Sequence, residues 1–153
     1  MLNKLFPEKI DNQYEELLIA RWLFYVITLL SLGRSLAHIL LPDGGAQLIA
    51  TIPLNAFPVD ASKVIIGMFA QWGLIQLMVG LLYVISLWRY QSLIPLMWVF
   101  VLFEYLGRLL LTVHKPFETS GTAPGAIGNI IIPFLALIML IMLISSLKQR
   151  KKN

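Results

Sequence analysis

The sequence predicts an all-α membrane protein: a polytopic four-helix bundle with both termini in the cytoplasm. The first observation is composition, because 58% of the 153 residues are hydrophobic, 13% are charged and the mean hydropathy is +0.79. A soluble domain of this length needs many more charged residues on its surface, so lipid must surround most side chains. The second is a set of four apolar runs, each of about 20 residues, the length that crosses a bilayer. The third is the placement of basic residues at the ends of those runs.

The basic residues predict the orientation of the bundle. Eight of them fall at one end of the predicted helices: Lys4, Lys9, Arg21, Arg89, Lys148, Arg150, Lys151 and Lys152. Only Lys63 and Lys115 fall at the other end. Because basic residues concentrate on the cytoplasmic side, this asymmetry places both termini inside and the two longer connections outside.

The chain has room for one membrane domain, residues 17–147, between a polar lead-in (1–16) and a basic tail (148–153). The helices are expected at about 17–41, 63–88, 92–113 and 126–147. The lead-in lacks a short apolar stretch followed by a small-residue cleavage site, so we do not expect a cleavable signal peptide.

The first helix carries polar residues on one face. Ser31, Arg34 and His38 follow the spacing i, i+3 and i+7, which aligns them along the helix. Arg34 lies seven residues before Leu41, about 10 Å along the axis. A guanidinium at that depth favours a partner inside the bundle.

The connection from Gly44 to Lys63 is long and apolar. We expect it to lie along the outer interface as a short amphipathic helix broken by Pro53 and Pro58. The alternative is a lid over a cavity that opens to that side. Asp60 or Ser62 is expected to cap the second helix.

The second helix presents a stripe of small and polar residues: Gly73, Gln76, Gly80 and Tyr83. Small residues let helix backbones approach closely, and a Gln side chain can hydrogen-bond to a neighbouring helix. The stripe therefore predicts a helix-packing face first and a polar site second.

The third helix places Glu104 and Arg108 one turn apart, with the acid N-terminal to the base, the better order for an i, i+4 pair. His114 ends this helix, and Asn129 lies in the first turn of the fourth. Ionisable residues inside an apolar span are functional-site candidates.

Together these residues predict a polar site in the outer half of the bundle. Its candidate ligand-binding residues are Arg34, His38, Gln76, Tyr83, Glu104 and Arg108, with His114 and Asn129 at the rim. Two arginines against one glutamate leave a positive charge, which suits a carboxylate, a phosphate-bearing lipid headgroup or a quinone carbonyl. The rival interpretation is a buried salt-bridge network that sets how the helices align.

Several chemistries are not predicted. No hydrolase, zinc-protease or phosphate-loop motif is present, so we expect no catalytic residues and a non-enzymatic role. The chain has no cysteine, and the spacing of its two histidines matches no metal motif. The basic residues do not form a single soluble face, which argues against nucleic acid as a partner.

Three segments carry a family resemblance: SLGRSLAHILLP (31–42), GMFAQWGLIQLMVGLLYVI (67–85), and EYLGRLLLTVHKP (104–116) followed by TAPG. They resemble small four-helix membrane proteins of bacteria that sit near the DoxX-like group. The shared plan covers most of the chain: four spans, a long first outer connection and an Arg late in the third span. The resemblance implies the bundle fold, and in that group quinone-linked or redox-stress roles.

Three functions remain open on the sequence. The leading expectation is a multi-pass protein of the bacterial inner membrane that binds a small anionic or lipid-like ligand, or serves as a subunit of a larger assembly. The first alternative is a small transporter or channel, which needs a homo-oligomer because four helices seldom enclose a pathway. The second is a quinone-linked redox component. No cofactor is predicted, with quinone or bound lipid as the candidate occupants.

Overall fold

Four long helices make up the membrane domain. The computed structural model of the chain describes residues 5–12 and 17–150, and for residues 146–150 it describes the backbone alone. The helices are α1 (Leu18–Leu40), α2 (Val59–Trp88), α3 (Ile94–His114) and α4 (Pro124–Arg150). Each is long and apolar enough to cross a membrane, and no strand occurs among the described residues. The predicted fold class, an all-α membrane four-helix bundle, is confirmed. Parts of the predicted lead-in and tail, residues 1–4, 13–16 and 151–153, lie outside the described residues.

The two ends of the bundle differ. At the loop end lie the α1–α2 connection (residues 41–58) and the α3–α4 connection (residues 115–123). At the terminal end, the N-terminus of α1 and the C-terminus of α4 flank the short α2–α3 turn, which contains a 3₁₀ helix at Gln91–Leu93. Asp11, in the segment before α1, exchanges hydrogen bonds with Ser92 in this turn, at 3.0 Å between the Asp11 amide nitrogen and Ser92 Oγ.

The helices associate as two hairpins. Packing is most extensive between α1 and α2 and between α3 and α4, and the two pairs touch mainly through α2–α3 and α1–α3 contacts. Glycines bring α1 and α2 close together: a Cβ on Gly73 would lie 2.7 Å from His38 Cβ, and one on Gly80 would lie 2.8 Å from Leu32 Cδ2. The predicted packing face of α2 is therefore confirmed.

A tightly packed core closes the terminal end. Phe24, Tyr83 and Trp98 meet there, with ring centroids 5.0 Å apart for Phe24–Tyr83 and 5.9 Å apart for Phe24–Trp98. Trp98 is fully buried, and its Nε1 donates to the carbonyl oxygen of Ala20 at 3.2 Å. Buried residues of all four helices belong to this core, which holds the two hairpins together.

The α1–α2 connection folds inward. Its residues Ala46, Ile52 and Leu54 are buried against Ile66 and Phe69 of α2. Residues 42–50 form successive turns, and the only regular helix in the connection is the 3₁₀ helix at Leu54–Ala56. The predicted amphipathic helix along the interface is thus replaced by turns, because Gly44 and Gly45 both adopt positive φ and curl the chain back over the end of the bundle.

The start of α2 differs most from the prediction. The helix begins at Val59, four residues before the predicted start, and Pro58 occupies the N-cap position without a side-chain cap. The capping prediction was wrong: Ser62 Oγ donates instead to the carbonyl oxygen of Leu54 at 2.9 Å, and Asp60 accepts from Lys63 Nζ at 3.4 Å. Pro58 lacks an N–H and has a fixed φ, which suits a position just outside a helix.

Candidate functional site

Three charged side chains meet between α1 and α3. Arg34 Nη2 lies 3.4 Å from Glu104 Oε1, and Arg108 Nη2 lies 2.5 Å from the same oxygen. Arg108 Nε also donates to Oε1, at 3.2 Å. We call Arg34, Glu104 and Arg108 the charge cluster. With two guanidinium groups on one carboxylate it keeps one formal positive charge.

The charge cluster lies deep within the helices. Glu104 is ten residues from either end of α3, about 15 Å along the axis in each direction. Arg34 and Arg108 are each six residues from the loop ends of their helices, about 9 Å along the axis. In a bilayer whose core is about 30 Å thick these positions fall within the hydrocarbon, where the Glu104 carboxylate stabilises both guanidinium groups.

Two aromatic side chains pack against the guanidinium groups. The Tyr105 ring centroid lies 5.8 Å from Arg34 Cζ and 5.4 Å from Arg108 Cζ. The Trp72 ring centroid lies 5.0 Å from Arg108 Cζ. All three distances fall within the range of cation–π attraction, which strengthens when water is excluded. Residues of α1, α2 and α3 therefore build one site.

His38 connects the site to the α1–α2 connection. Its ring is 2% exposed and stacks on Trp72 with centroids 5.0 Å apart. Nδ1 lies 2.8 Å from the carbonyl oxygen of Gly44. Because a carbonyl oxygen only accepts, Nδ1 carries the proton in this contact. His38 thus contacts Trp72, which packs on Arg108, and fixes the first turn of the connection.

The side chains of Gln76 and Tyr83 are both buried. Gln76 is 5% exposed and Tyr83 2% exposed. Neither the Gln76 amide atoms nor the Tyr83 hydroxyl has a partner among the described residues. The predicted hydrogen bond from Gln76 to a neighbouring helix is therefore not made by the described part of the chain. The Tyr83 phenol nevertheless interacts electrostatically with Glu104 and with both arginines.

The two predicted rim residues do not join the charge cluster. His114 is the last residue of α3 and is exposed. Asn129, on α4, is half-buried, and its Oδ1 has no partner in the described part of the chain. No hydrogen bond within that part links either residue to Arg34, Glu104 or Arg108. The site is built by three helices, with α4 behind α3.

The two loop-end connections are tied to each other. Thr51 Oγ1 donates to the carbonyl oxygen of Gly121 at 2.8 Å. In return, the Ser120 amide nitrogen and Oγ donate to the Thr51 carbonyl oxygen at 2.8 and 2.9 Å. Thr51 adopts a φ of 58°, a conformation that few β-branched residues take, so these contacts hold it there. These hydrogen bonds, which we call the Thr51–Ser120 clasp, join the α1–α2 hairpin to the α3–α4 hairpin at the loop end.

Asp43 organises the turn that contacts His38. Its carboxylate accepts from the amide nitrogens of Leu48 at 2.7 Å, Gly45 at 2.9 Å and Gln47 at 3.0 Å. Burial raises the pKa of Asp43, but these N–H groups outweigh burial and hold that pKa below its ordinary value of 3.8. The turn is therefore held by an ionised carboxylate at neutral pH.

The sequence reasoning missed Trp72 and Tyr105. Both looked like ordinary apolar residues of a membrane helix, yet both contact the guanidinium groups. A signal was available: Tyr105 follows Glu104 directly, and Trp72 precedes Gln76 by one helical turn. For metal chemistry, no group of three or more His, Asp or Glu side chains comes together within the described residues.

Comparison with known proteins yields no match: no family model fits the chain, and neither the curated proteins nor the solved structures contain a significant relative. The resemblance to the DoxX-like group therefore stays a prediction.

Proposed function

We propose that this integral membrane protein binds a small anionic or lipid-like ligand at the charge cluster and has no catalytic role. The observation that carries the proposal is that Arg34 and Arg108 share one oxygen of Glu104, which leaves one uncompensated positive charge at hydrocarbon depth. A positive charge at that depth favours an anion as its partner.

The geometry leaves room for a ligand contact. The side chains of Arg34, Glu104 and Arg108 are 22%, 26% and 14% exposed, so they are not fully enclosed by protein. Arg34 Nε is buried and has no partner among the described residues. Guanidinium groups bind carboxylate and phosphate through several N–H donors at once, and this donor is unused.

The rival role is structural. Arg34 joins α1 to α3, and Arg108 holds Glu104 in place within α3, as a network that aligns helices would. Such a network reaches electroneutrality most easily with one acid and one base. The second arginine, packed between Tyr105 and Trp72, favours binding over alignment alone.

The test is titration of the purified protein with propionate, in nanodiscs of phosphatidylcholine, followed by thermal unfolding. Wild type is expected to be stabilised as propionate rises, and Arg108→Leu is expected to lose that response because the site becomes neutral. Arg89→Leu, at the exposed α2–α3 turn, is the matched control and keeps the response. Glu104→Gln is expected to bind propionate about tenfold more tightly because one competing charge is removed.

A purely structural role predicts a different result of the same titration. If neither wild type nor Glu104→Gln is stabilised by propionate or by an anionic lipid, the charge cluster only aligns helices, however stable Glu104→Gln is on its own. That result would overturn the binding proposal.

The proposed location is a bacterial inner membrane, with both termini in the cytoplasm and the loop end outside. The support is the excess of basic residues at the terminal end. Because the chain has no cysteine, single substitutions report orientation cleanly. In intact cells an impermeant maleimide is expected to label Glu118→Cys but not Arg89→Cys, and the reverse pattern would invert the orientation.

A further inference from the structure

Gln76 lies in the seam between α1 and α2, at the level of the charge cluster. It sits between Gly73, which approaches Ser35 and His38, and Gly80, which approaches Leu32. Its level on α2 therefore corresponds to the level of Arg34 on α1. With both amide atoms buried and without a partner among the described residues, it presents a donor and an acceptor into that space.

Tyr83 lies on α2 on the terminal side of Gln76. Side chains on a helix tilt toward its N-terminus, which lies at the loop end for α2 and at the terminal end for α3. The Tyr83 side chain therefore points from α2 toward the loop end, and the Glu104 side chain points from α3 toward the terminal end. The two interact electrostatically. The Phe24 ring packs edge-on against the Tyr83 ring.

The unpaired groups define what an occupant must offer. Arg34 Nε only donates, the Gln76 amide both donates and accepts, and the Tyr83 hydroxyl does both. A simple anion would satisfy the donors and leave Gln76 Oε1 without a hydrogen. Buried polar groups are hydrogen-bonded in native proteins, so the occupant needs a donor of its own next to its negative charge.

We propose that the site is selective for a monoanion that carries a hydroxyl group beside its charged group. The charged group lies on Arg34 and Arg108, and the hydroxyl lies between Gln76 and Tyr83. This inference rests on the proposed function and adds the ligand's chemical class. A single negative charge balances the single positive charge of the cluster, which favours a carboxylate or a phosphodiester over a dianionic phosphate.

Two sources supply this chemistry: a soluble hydroxycarboxylate, or a lipid headgroup whose phosphodiester carries a hydroxylated alcohol. Matched probes separate them. Lactate and propionate differ by one hydroxyl, and so test the soluble source in phosphatidylcholine nanodiscs. Phosphatidylglycerol and phosphatidylmethanol are both phosphodiester monoanions, and only the first has headgroup hydroxyls.

The experiment measures the affinity of each probe from the thermal stabilisation of wild type and two variants. Tyr83→Phe removes one oxygen, and Gln76→Leu replaces the amide with an apolar group of similar size. Wild type is expected to prefer the hydroxylated member of one pair by about tenfold. Each variant is expected to bring that preference to within about twofold while still binding the anion. Tyr90→Phe and Gln71→Leu, at exposed positions, are the controls and keep the preference.

The outcomes separate the two proposals. If wild type binds both members of each pair equally, selectivity for a hydroxyl is refuted and anion binding stands; water then occupies the space near Gln76. If no probe binds, both proposals fail. Should Gln76→Leu not fold, Tyr83→Phe decides alone, because it leaves the ring that packs on Phe24 in place.

Discussion

Arg34 of α1 reaches Glu104 of α3 across the two hairpins, with Nη2 3.4 Å from Oε1. These helices otherwise touch at few points, because α1 packs mainly on α2 and α3 mainly on α4. The contact therefore joins the hairpins in the middle of the membrane domain, between the Phe24–Trp98 core at the terminal end and the Thr51–Ser120 clasp at the loop end. A ligand bound to the charge cluster would act on this junction directly.

Replacing Glu104 with Gln is expected to destabilise the ligand-free protein by about 3 kcal/mol, because two guanidinium groups lose the carboxylate that they share. The measurement is thermal unfolding in detergent without added carboxylate. Glu118→Gln, the same change in an exposed connection, is the control and is expected to have little effect. A loss below that of the control would show that Glu104 does not stabilise the two arginines.

Adding a methyl group at Gly73 is expected to destabilise the bundle by about 1–3 kcal/mol. The new Cβ would lie 2.7 Å from His38 Cβ and 3.0 Å from the Ser35 carbonyl oxygen, so α1 and α2 must move apart. Gly67→Ala is a matched control on the same helix, where nothing lies within 4 Å of the new carbon. Equal unfolding temperatures for the two variants would contradict the close approach of α1 and α2.

Trp98→Phe is expected to destabilise the protein by about 2 kcal/mol. The smaller ring leaves a cavity beside Phe24 and removes the hydrogen bond to the Ala20 carbonyl oxygen. Trp88→Phe is the control, since Trp88 is 76% exposed whereas Trp98 is fully buried. Chemical or thermal unfolding compares the stability of the two variants. A larger loss of stability for Trp88→Phe would show that Trp98 is not part of the core.

The turn at Asp43 is expected to loosen in acid. The pKa of Asp43 is lower in the folded protein than its ordinary value of 3.8, so the carboxylate stabilises the turn fully above that pH. The stabilisation is lost as the pH falls through the lowered pKa. Hydrogen exchange at the Leu48 amide reports this, since that N–H donates to Oδ2 at 2.7 Å. Asp43→Asn is expected to exchange faster already at neutral pH, and unchanged exchange would refute the role of the charge.

The helices were predictable because lipid imposes length and apolar composition on every membrane span. Three of the four starts lie within two residues of the prediction, and α2 starts four residues early. That difference arises because Pro58 and the carbonyl oxygen of Leu54 are used in place of the expected caps. Which residue caps a helix depends on the path of the connection that precedes it. That path is set by tertiary contacts, which the local sequence does not specify.

The candidate site was predictable in part. An ionised group at hydrocarbon depth needs a partner, and this argument alone indicated that Arg34, Glu104 and Arg108 belong together. The same argument did not apply to Trp72 and Tyr105, whose aromatic rings look like lipid-facing residues in a sequence. Their contacts with the guanidinium groups depend on how α2 and α3 are rotated about their axes.

Composition and helical period by themselves determined that this protein is a four-helix membrane bundle with a cationic set of side chains in its interior, because burying backbone and charge in lipid permits few arrangements. Only the tertiary structure decided that both arginines share one oxygen of Glu104, that the buried polar atoms of Gln76 and Tyr83 have no hydrogen-bond partner among the described residues, and that His114 and Asn129 lie apart. These are distances between helices, set by glycine contacts and a buried aromatic core formed by residues far apart in the chain.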